Sequence, residues 1–214
     1  MSPTPTSASP APAGSRFELI GGRPSLDFAN TASRLGTAAP IERLHGYDDL
    51  VRWALEAGIL GDPQARRLRE EAARHPAEAD RVLDEARRLR GAIWRIFVGL
   101  KRGTRAAPAD LATLNRALAE GMASRRLHES PDGYRWAWEE QAGRLDWPLW
   151  PVAHSAAELA SGDQVDRVKV CEGGECGWLF VDASRNRSRR WCSMEDCGNV
   201  VKARRHYAKR KRTG

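Results

Sequence analysis

Hydrophobic spacing along the chain changes period as the sequence proceeds. Between residues 47 and 122 apolar positions recur every three or four residues, as in amphipathic helices. In YDDLVRWALEAGIL (47–60) they are Leu50, Val51, Trp53, Ala54 and Leu55, and Gly58 helps end the helix. Asp62-Pro63 places an N-cap residue before a first-position proline, which predicts a helix through QARRLREEAARH that stops before Pro76. The longest helix is predicted from Pro76 to about Arg102, with Val82, Leu83, Leu89, Ile93, Ile96, Phe97 and Leu100 as its buried stripe. Another follows from Ala107, carrying Leu111, Leu114, Leu118 and Met122. The period then switches to two. RRLHES–PDG–YRWAWEE predicts a β-hairpin around Pro131-Asp132-Gly133. It puts Tyr134, Trp136 and Trp138 on one face, read as a core face rather than a ligand slot because aromatics favour pleated, half-buried surfaces. A last helix, Pro151 to about Ala160, leads to a boundary at Ser161-Gly162-Asp163. Upstream, Gly21-Gly22 and Pro24 mark a turn before SLDFAN, which is apolar at 26 and 28.

The first fifteen residues, MSPTPTSASPAPAGS, offer nothing to bury and are read as a disordered tail. They lack a basic n-region and an apolar h-region, so no secretory signal is expected. The reading is therefore cytoplasmic, in a reducing compartment where structural disulfides are rare, and nucleoid-associated if the chain binds DNA. The most apolar stretch, residues 92–100, is short and carries Arg95, which excludes a membrane span there. The predicted fold class is α+β: a mostly helical N-terminal domain with a small β-hairpin element, then a small four-cysteine zinc-binding module ending in a basic helix. The expected bounds are 1–15 for the tail, 16–163 for the α-rich domain and 164–214 for the four-cysteine module.

Charge is unevenly placed. Residues 1–165 hold 22 Lys/Arg and 22 Asp/Glu, whereas residues 166–214 hold 13 and 6 and supply the whole net charge of +7. A neutral body with a basic appendage is the asymmetry of a polyanion binder.

That appendage also contains every cysteine: Cys171, Cys176, Cys192 and Cys197. Two C-x4-C pairs separated by a loop suit a tetrahedral four-thiolate zinc site, each pair wrapping one side of the ion. Gly173, Gly174 and Gly177 are expected to let the first knuckle curl through positive φ. A redox pair would need C-x-x-C at a helix start, and common iron–sulfur spacings differ. Such a zinc site is closed, which argues for structure and against zinc catalysis.

Between the pairs, Trp178-Leu179-Phe180-Val181 reads as a short strand, and Trp178 and Trp191 are expected to pack around the metal loops. Ser193-x-x-Asp196 reads as a capping box opening a helix over 194–210, roughly 25 Å long. Val200, Val201, Ala203, Tyr207 and Ala208 give it an inner face, while Lys202, Arg204, Arg205, Lys209 and Arg210 cover the rest. Arg185, Arg187, Arg189 and Arg190 form a second basic patch in the loop before Cys192, with Asn186 and Ser188 as further phosphate donors.

These residues resemble a known family. CGWLFVDASRNRSRRWCSMEDCGN is similar to the CGNR-type zinc finger of bacterial transcription regulators, over about residues 168–211. GGRPSLDFANT and GYDDLVRWALEAGIL resemble the ABATE domain that precedes this finger. The resemblance implies a zinc-dependent DNA-binding module joined to an α-rich regulatory domain, with the four cysteines as zinc ligands. Where the family pattern completes C-G-N-R with arginine, this chain has Val200. If that arginine contacts nucleic acid in relatives, Lys202, Arg204 and Arg205 are the residues placed to compensate.

No phosphate-binding loop, G-x-G-x-x-G or G-x-S-x-G occurs, and the five histidines show no ligand spacing. Arg23, Asp27, Asn30 and Trp53 are candidate lining for a small-molecule effector pocket; the plainer expectation for Asp27 and Asn30 is helix capping or satisfaction of buried backbone. The leading function is a DNA-binding transcription regulator whose first domain senses an effector or forms a homodimer. The alternatives are an RNA-binding or ribosome-associated module, and an enzyme carrying the finger as a staple.

Overall fold

The computed structural model describes residues 17–139, 141, 143–174 and 176–203. Among the described residues, six α-helices and three small antiparallel sheets make up the regular structure, together with a 3-10 turn (Val165–Arg167) and a helical turn (Met194–Gly198) that carries the last cysteine. The helices are α1 (Pro24–Ala29), α2 (Tyr47–Glu56), α3 (Asp62–Arg74), α4 (Pro76–Lys101), α5 (Pro108–Ala123) and α6 (Leu149–Ser161). Each sheet has two strands: β1 (Ala32–Ser33) with β2 (Ile41–Glu42), β3 (Arg125–Ser130) with β4 (Gly133–Trp138), and β5 (Val168–Val170) with β6 (Leu179–Val181). The helical bounds follow the spacing of apolar residues closely. Gly58, at φ 69°, stops α2, as its position suggested. One cap differs: α3 begins at Asp62 itself, and the Gln64 side chain turns back to accept from Gly61 N–H at 2.7 Å.

The 26-residue α4 is the central post, packing against α1, α2, α3, α5, α6 and β5. Its inner face buries Val82, Leu83, Ala86, Leu89, Ile93, Ile96 and Phe97. Arg90 is buried on the same helix and holds β2 in place, pairing with the Glu42 carboxylate through both terminal nitrogens. Three residues of the expected stripes, Leu100, Leu111 and Met122, are exposed, because none of the described residues covers them.

The β3–β4 hairpin forms with the expected turn and a register of Leu127 opposite Trp136. The expectation that its aromatic face is a core face holds only at the base. There Trp138 meets His154 of α6 at 5.6 Å, with Arg125 5.0 Å from the indole. Tyr134 and Trp136 lie beyond α6 and are exposed. No helix among the described residues is long and apolar enough to cross a membrane.

The β5–β6 hairpin does not stand apart from the helices. Val168 and Leu179 belong to the main hydrophobic core, and Cys171, Trp178, Phe180 and Cys192 form a small cluster beside it. The outer edge of β6 is closed by residues of the segment 21–30. Asn30 gives Leu179 a complete side-chain bridge, donating to its C=O at 2.9 Å and accepting from its N–H at 2.8 Å. Val181 N–H then donates to Gly21 C=O at 2.9 Å. A buried strand edge with no third strand has thus been satisfied by an amide side chain and a turn carbonyl.

Candidate metal centre and basic surface

Cys171 leaves the end of β5 and Cys176 lies just ahead of β6, so the hairpin brings the first pair together. Cys192 and Cys197 come from the second knuckle, where Ser193 Oγ accepts from Asp196 N–H at 3.2 Å and starts a wide helical turn, Met194–Gly198. Helical backbone continues from this turn to Ala203. The expected helix to residue 210 is followed only that far; 204–210 lie outside the described residues.

All four sulfurs lie within 4.8 Å of one another. Cys176 Sγ is 3.7 Å from Cys192 Sγ, and Cys192 Sγ is 3.6 Å from Cys197 Sγ. A tetrahedron of Zn–S bonds near 2.3 Å places its sulfurs about 3.8 Å apart, so these thiols sit at the edges such an ion sets. The separations are far too long for disulfides, and all four cysteines are free. Crowding sets their protonation. The Cys171 thiol is held well below its ordinary pKa by hydrogen bonds from Cys176 and Cys192, while its neighbour Cys192 is pushed up by the same partner. A divalent cation removes that conflict by letting four thiolates coexist.

The glycines serve this site in two different ways. Gly174 and Gly177 adopt φ 79° and 70°, as expected. Gly173 is required for space: a Cβ there would lie 2.7 Å from Cys197 Cβ and 2.8 Å from its sulfur.

The knuckles are fixed to the helical part by four directional contacts. Trp94 Nε1 donates to Gly177 C=O at 2.8 Å, and Trp178 Nε1 donates to Ala32 C=O at 2.9 Å. Arg34 N–H donates to Cys176 C=O at 3.0 Å, and the Arg43 guanidinium lies 5.1 Å from the Trp178 ring.

The loop over residues 183–190 is built around a buried carboxylate. Asp182 is fully buried and accepts from Lys169 Nζ at 2.6 Å, Ser184 N–H at 2.9 Å, Ser184 Oγ at 2.6 Å and Arg189 N–H at 3.0 Å. Burial alone would raise its pKa; the Lys169 ammonium and then Ser184 outweigh that and hold it well below the usual carboxylate range. Lys169 Nζ also donates to the C=O groups of Arg187 and Arg189 at 2.5 and 2.9 Å. Sequence reasoning missed this Lys169–Asp182 node. The available signal was an acidic residue two positions before a serine, the pattern of a side chain that organises its own loop.

The candidate phosphate-contacting residues separate accordingly. Arg189 is half-buried, stacks 4.4 Å from the Phe180 ring and donates to the C=O groups of Trp191 and Cys192, so it frames the second knuckle. Arg190 pairs with Glu172 and lies 5.6 Å from the Trp191 ring. Arg185, Arg187 and Lys202 are exposed and have no charged partner among the described residues. Arg204, Arg205, Lys209 and Arg210 lie outside the described residues. Val200 is exposed and lines a cleft of about 380 Å³ with Arg34, Arg43, Cys176 and Cys197.

The candidate effector residues do not converge. Asn30 is committed to Leu179, and Trp53 is fully buried against Phe28 at 4.9 Å. Arg23 bonds Gln164, and Asp27 accepts from Gly21 N–H at 2.7 Å. For Asn30 and Asp27 the backbone-satisfying role is the one observed.

Residues 22–163 match the ABATE family, described as "Putative stress-induced transcription regulator". The chain belongs to the ABATE family. Residues 167–210 match the CGNR zinc finger, and the four thiols of that finger fit one structural zinc ion. Neither is an enzyme family. No curated protein matches the chain.

Proposed function

We propose that this ABATE protein is a zinc-dependent DNA-binding transcription regulator of the bacterial cytoplasm. It comprises a tail (1–15), a regulatory domain (16–163) and a zinc module (164–214). Cys171, Cys176, Cys192 and Cys197 are the zinc ligands. Arg185, Arg187 and Lys202, with Arg204, Arg205, Lys209 and Arg210, contact phosphate, while Arg189 and Arg190 position the loop. The observation that carries this reading is the pairing of a closed four-thiol site with an adjoining loop whose Arg185 and Arg187 have no acidic partner among the described residues. A closed site has no open coordination position for chemistry, so the metal shapes a surface. The unpartnered guanidiniums on that surface suit a polyanion.

The test is fluorescence anisotropy with duplex DNA across a salt series. With roughly five phosphates neutralised, log K falls against log salt with a slope near −4 to −5. A slope near zero refutes DNA binding by this surface. Competition by structured RNA that outweighs duplex DNA would move the reading to an RNA-binding module.

A further inference from the structure

The cleft beside the second cysteine pair gives access to one side of the sulfur cluster. Cys176, Cys192 and Cys197 line it, and Cys171 does not. Cys176 and Cys197 are partly exposed, whereas Cys171 is buried. At about 380 Å³ the cleft has room for several molecules the size of water. Its charged lining is Arg34 and Arg43 against Glu18 and Asp196, which cancel, so a small neutral solute meets no barrier of charge. The two partly exposed cysteines are held differently. Cys176 lies in the segment seated on the helical part, its C=O accepting from Arg34 N–H at 3.0 Å. Cys197 lies in the turn Met194–Gly198, whose bonds are local. Gly198 N–H donates to Ser193 C=O at 3.1 Å, and Asn199 Nδ2 donates to Glu195 C=O at 3.0 Å. Cys197 therefore combines access with freedom to shift, and Cys192 Sγ is 3.6 Å from its sulfur.

We infer that Cys192 and Cys197 are a peroxide-sensitive pair, which oxidation through the cleft joins in a disulfide, releasing the metal. The Cys197 thiolate attacks one oxygen of hydrogen peroxide; the O–O bond breaks, hydroxide leaves and a sulfenic acid forms. The Cys192 thiolate then attacks that sulfur and displaces a second hydroxide, which completes the disulfide. Two thiolates thus lose two electrons, and the peroxide is reduced to two hydroxides. The sulfurs must close from 3.6 Å to about 2.05 Å. The local turn that carries Cys197 permits this, whereas Cys176 is tied to the helical part at Arg34. Disulfide sulfurs carry no charge, so the metal keeps only Cys171 and Cys176 as thiolates and dissociates. The first pair stays seated through Gly177, Trp178 and Leu179. The change is confined to the second knuckle and the helical backbone that continues from it to Ala203. This inference rests on the zinc site and stands independently of what the basic surface binds.

The experiment treats the full-length zinc-loaded protein with hydrogen peroxide and follows zinc release with a chelating dye, beside the variant Val200→Trp. Val200 is an exposed residue of the cleft wall and not a ligand, so an indole there narrows the entrance. The wild type is expected to release its zinc, and Val200→Trp to release it severalfold more slowly, with zinc content and Tm before oxidation checking that the fold persists. Ile41→Trp narrows the same cleft from β2 and is expected to act in the same direction. Trypsin places Cys192 and Cys197 in one peptide, residues 191–202, and Cys171 and Cys176 in another, residues 170–185. The expected product is the 191–202 peptide lighter by two hydrogens; oxidation of Met194 in the same peptide adds oxygen instead. A thiol reductant with zinc should restore the loaded protein. Zinc retained under peroxide overturns the proposal while leaving the zinc assignment intact. So does a disulfide that uses Cys171 or Cys176, or release from both variants at the wild-type rate.

Discussion

Replacing Asn30 with alanine tests how the zinc module is joined to the helical part. Asn30 is 3% exposed, and both ends of its amide are used on one residue, Leu179. Truncation leaves a buried N–H and a buried C=O without partners, at about 1–3 kcal/mol each. The total expected loss is therefore about 3–5 kcal/mol, a large share of the 5–15 kcal/mol typical of a domain. At about 2–4 °C per kcal/mol for a chain of this size, Tm should fall by about 6–20 °C. Differential scanning calorimetry gives the magnitude, and amide exchange at Leu179 locates it. The Asn30→Asp variant is diagnostic. A carboxylate can accept from Leu179 N–H but cannot donate to its C=O, so it should also be destabilised, and less so at acid pH where a protonated Asp regains a donor. An Asn30→Ala protein melting within about 2 °C of wild type, which is at most about 1 kcal/mol, would refute the clamp.

Removing the metal with a chelator should release about one zinc per chain and expose four titratable thiols; a folded module that never contained zinc would defeat the assignment. The Asp27 carboxyl is pushed up to about 7 by burial, with the Gly21 N–H pulling the other way. Its folded pKa thus lies above the unfolded value of 3.8, so the stability it contributes is present at low pH and is lost as pH rises through about 7. Its partial exposure screens some of that, and Asp27→Asn should gain about 1–2 kcal/mol at pH 8, with the gain vanishing near pH 4; equal melting at both pH values counts against the shift. Arg185→Ala/Arg187→Ala should reduce the salt slope of DNA binding by about 2, whereas Arg189→Ala should leave the slope unchanged and lower zinc retention. Val200→Arg adds a guanidinium beside the Cys197 cleft, and unchanged DNA affinity would show that no phosphate passes there.

Local pattern carried most of the helical fold. The stripe of α4, the stops at Gly58 and before Pro76, and the turn at Pro131-Asp132 each follow from interactions within a few residues. The metal site was equally readable, because four thiolates at that spacing satisfy one another whatever surrounds them. Errors arose where a residue's partner is distant in sequence. Asn30 could be recognised as a buried-backbone ligand, but Leu179 lies 149 positions away. Arg189 looks identical to Arg185 in the sequence, and only Phe180 beneath it and two carbonyls around it turn it inward. The aromatic alternation of β4 indicated a core face, and only Trp138, half-buried against the core, meets it. Its outer half, Tyr134 and Trp136, stays exposed, with only the Arg125 guanidinium near the Trp136 ring.

The placement of the docking contacts has a thermodynamic consequence for regulation. Cys176, Gly177, Trp178 and Leu179 are consecutive; the first is in the sulfur cluster, and all four are held by Arg34, Trp94, Ala32 and Asn30 respectively. The segment that closes around the metal is therefore the segment that seats on the helical part. An interaction that shifts β1 or the Trp94 face of α4 must change the free energy of the first knuckle, and by linkage metal binding must favour the seated arrangement by the same amount. Coupling between the two parts is expected to run through this seam. Trp94→Phe isolates it, since an aromatic ring is retained and the 2.8 Å bond to Gly177 is lost. The expected cost is about 1 kcal/mol in stability and about a fivefold loss in zinc affinity, read by competition with a chelating dye. Lost stability with unchanged zinc affinity would show that the knuckle and its seat are independent.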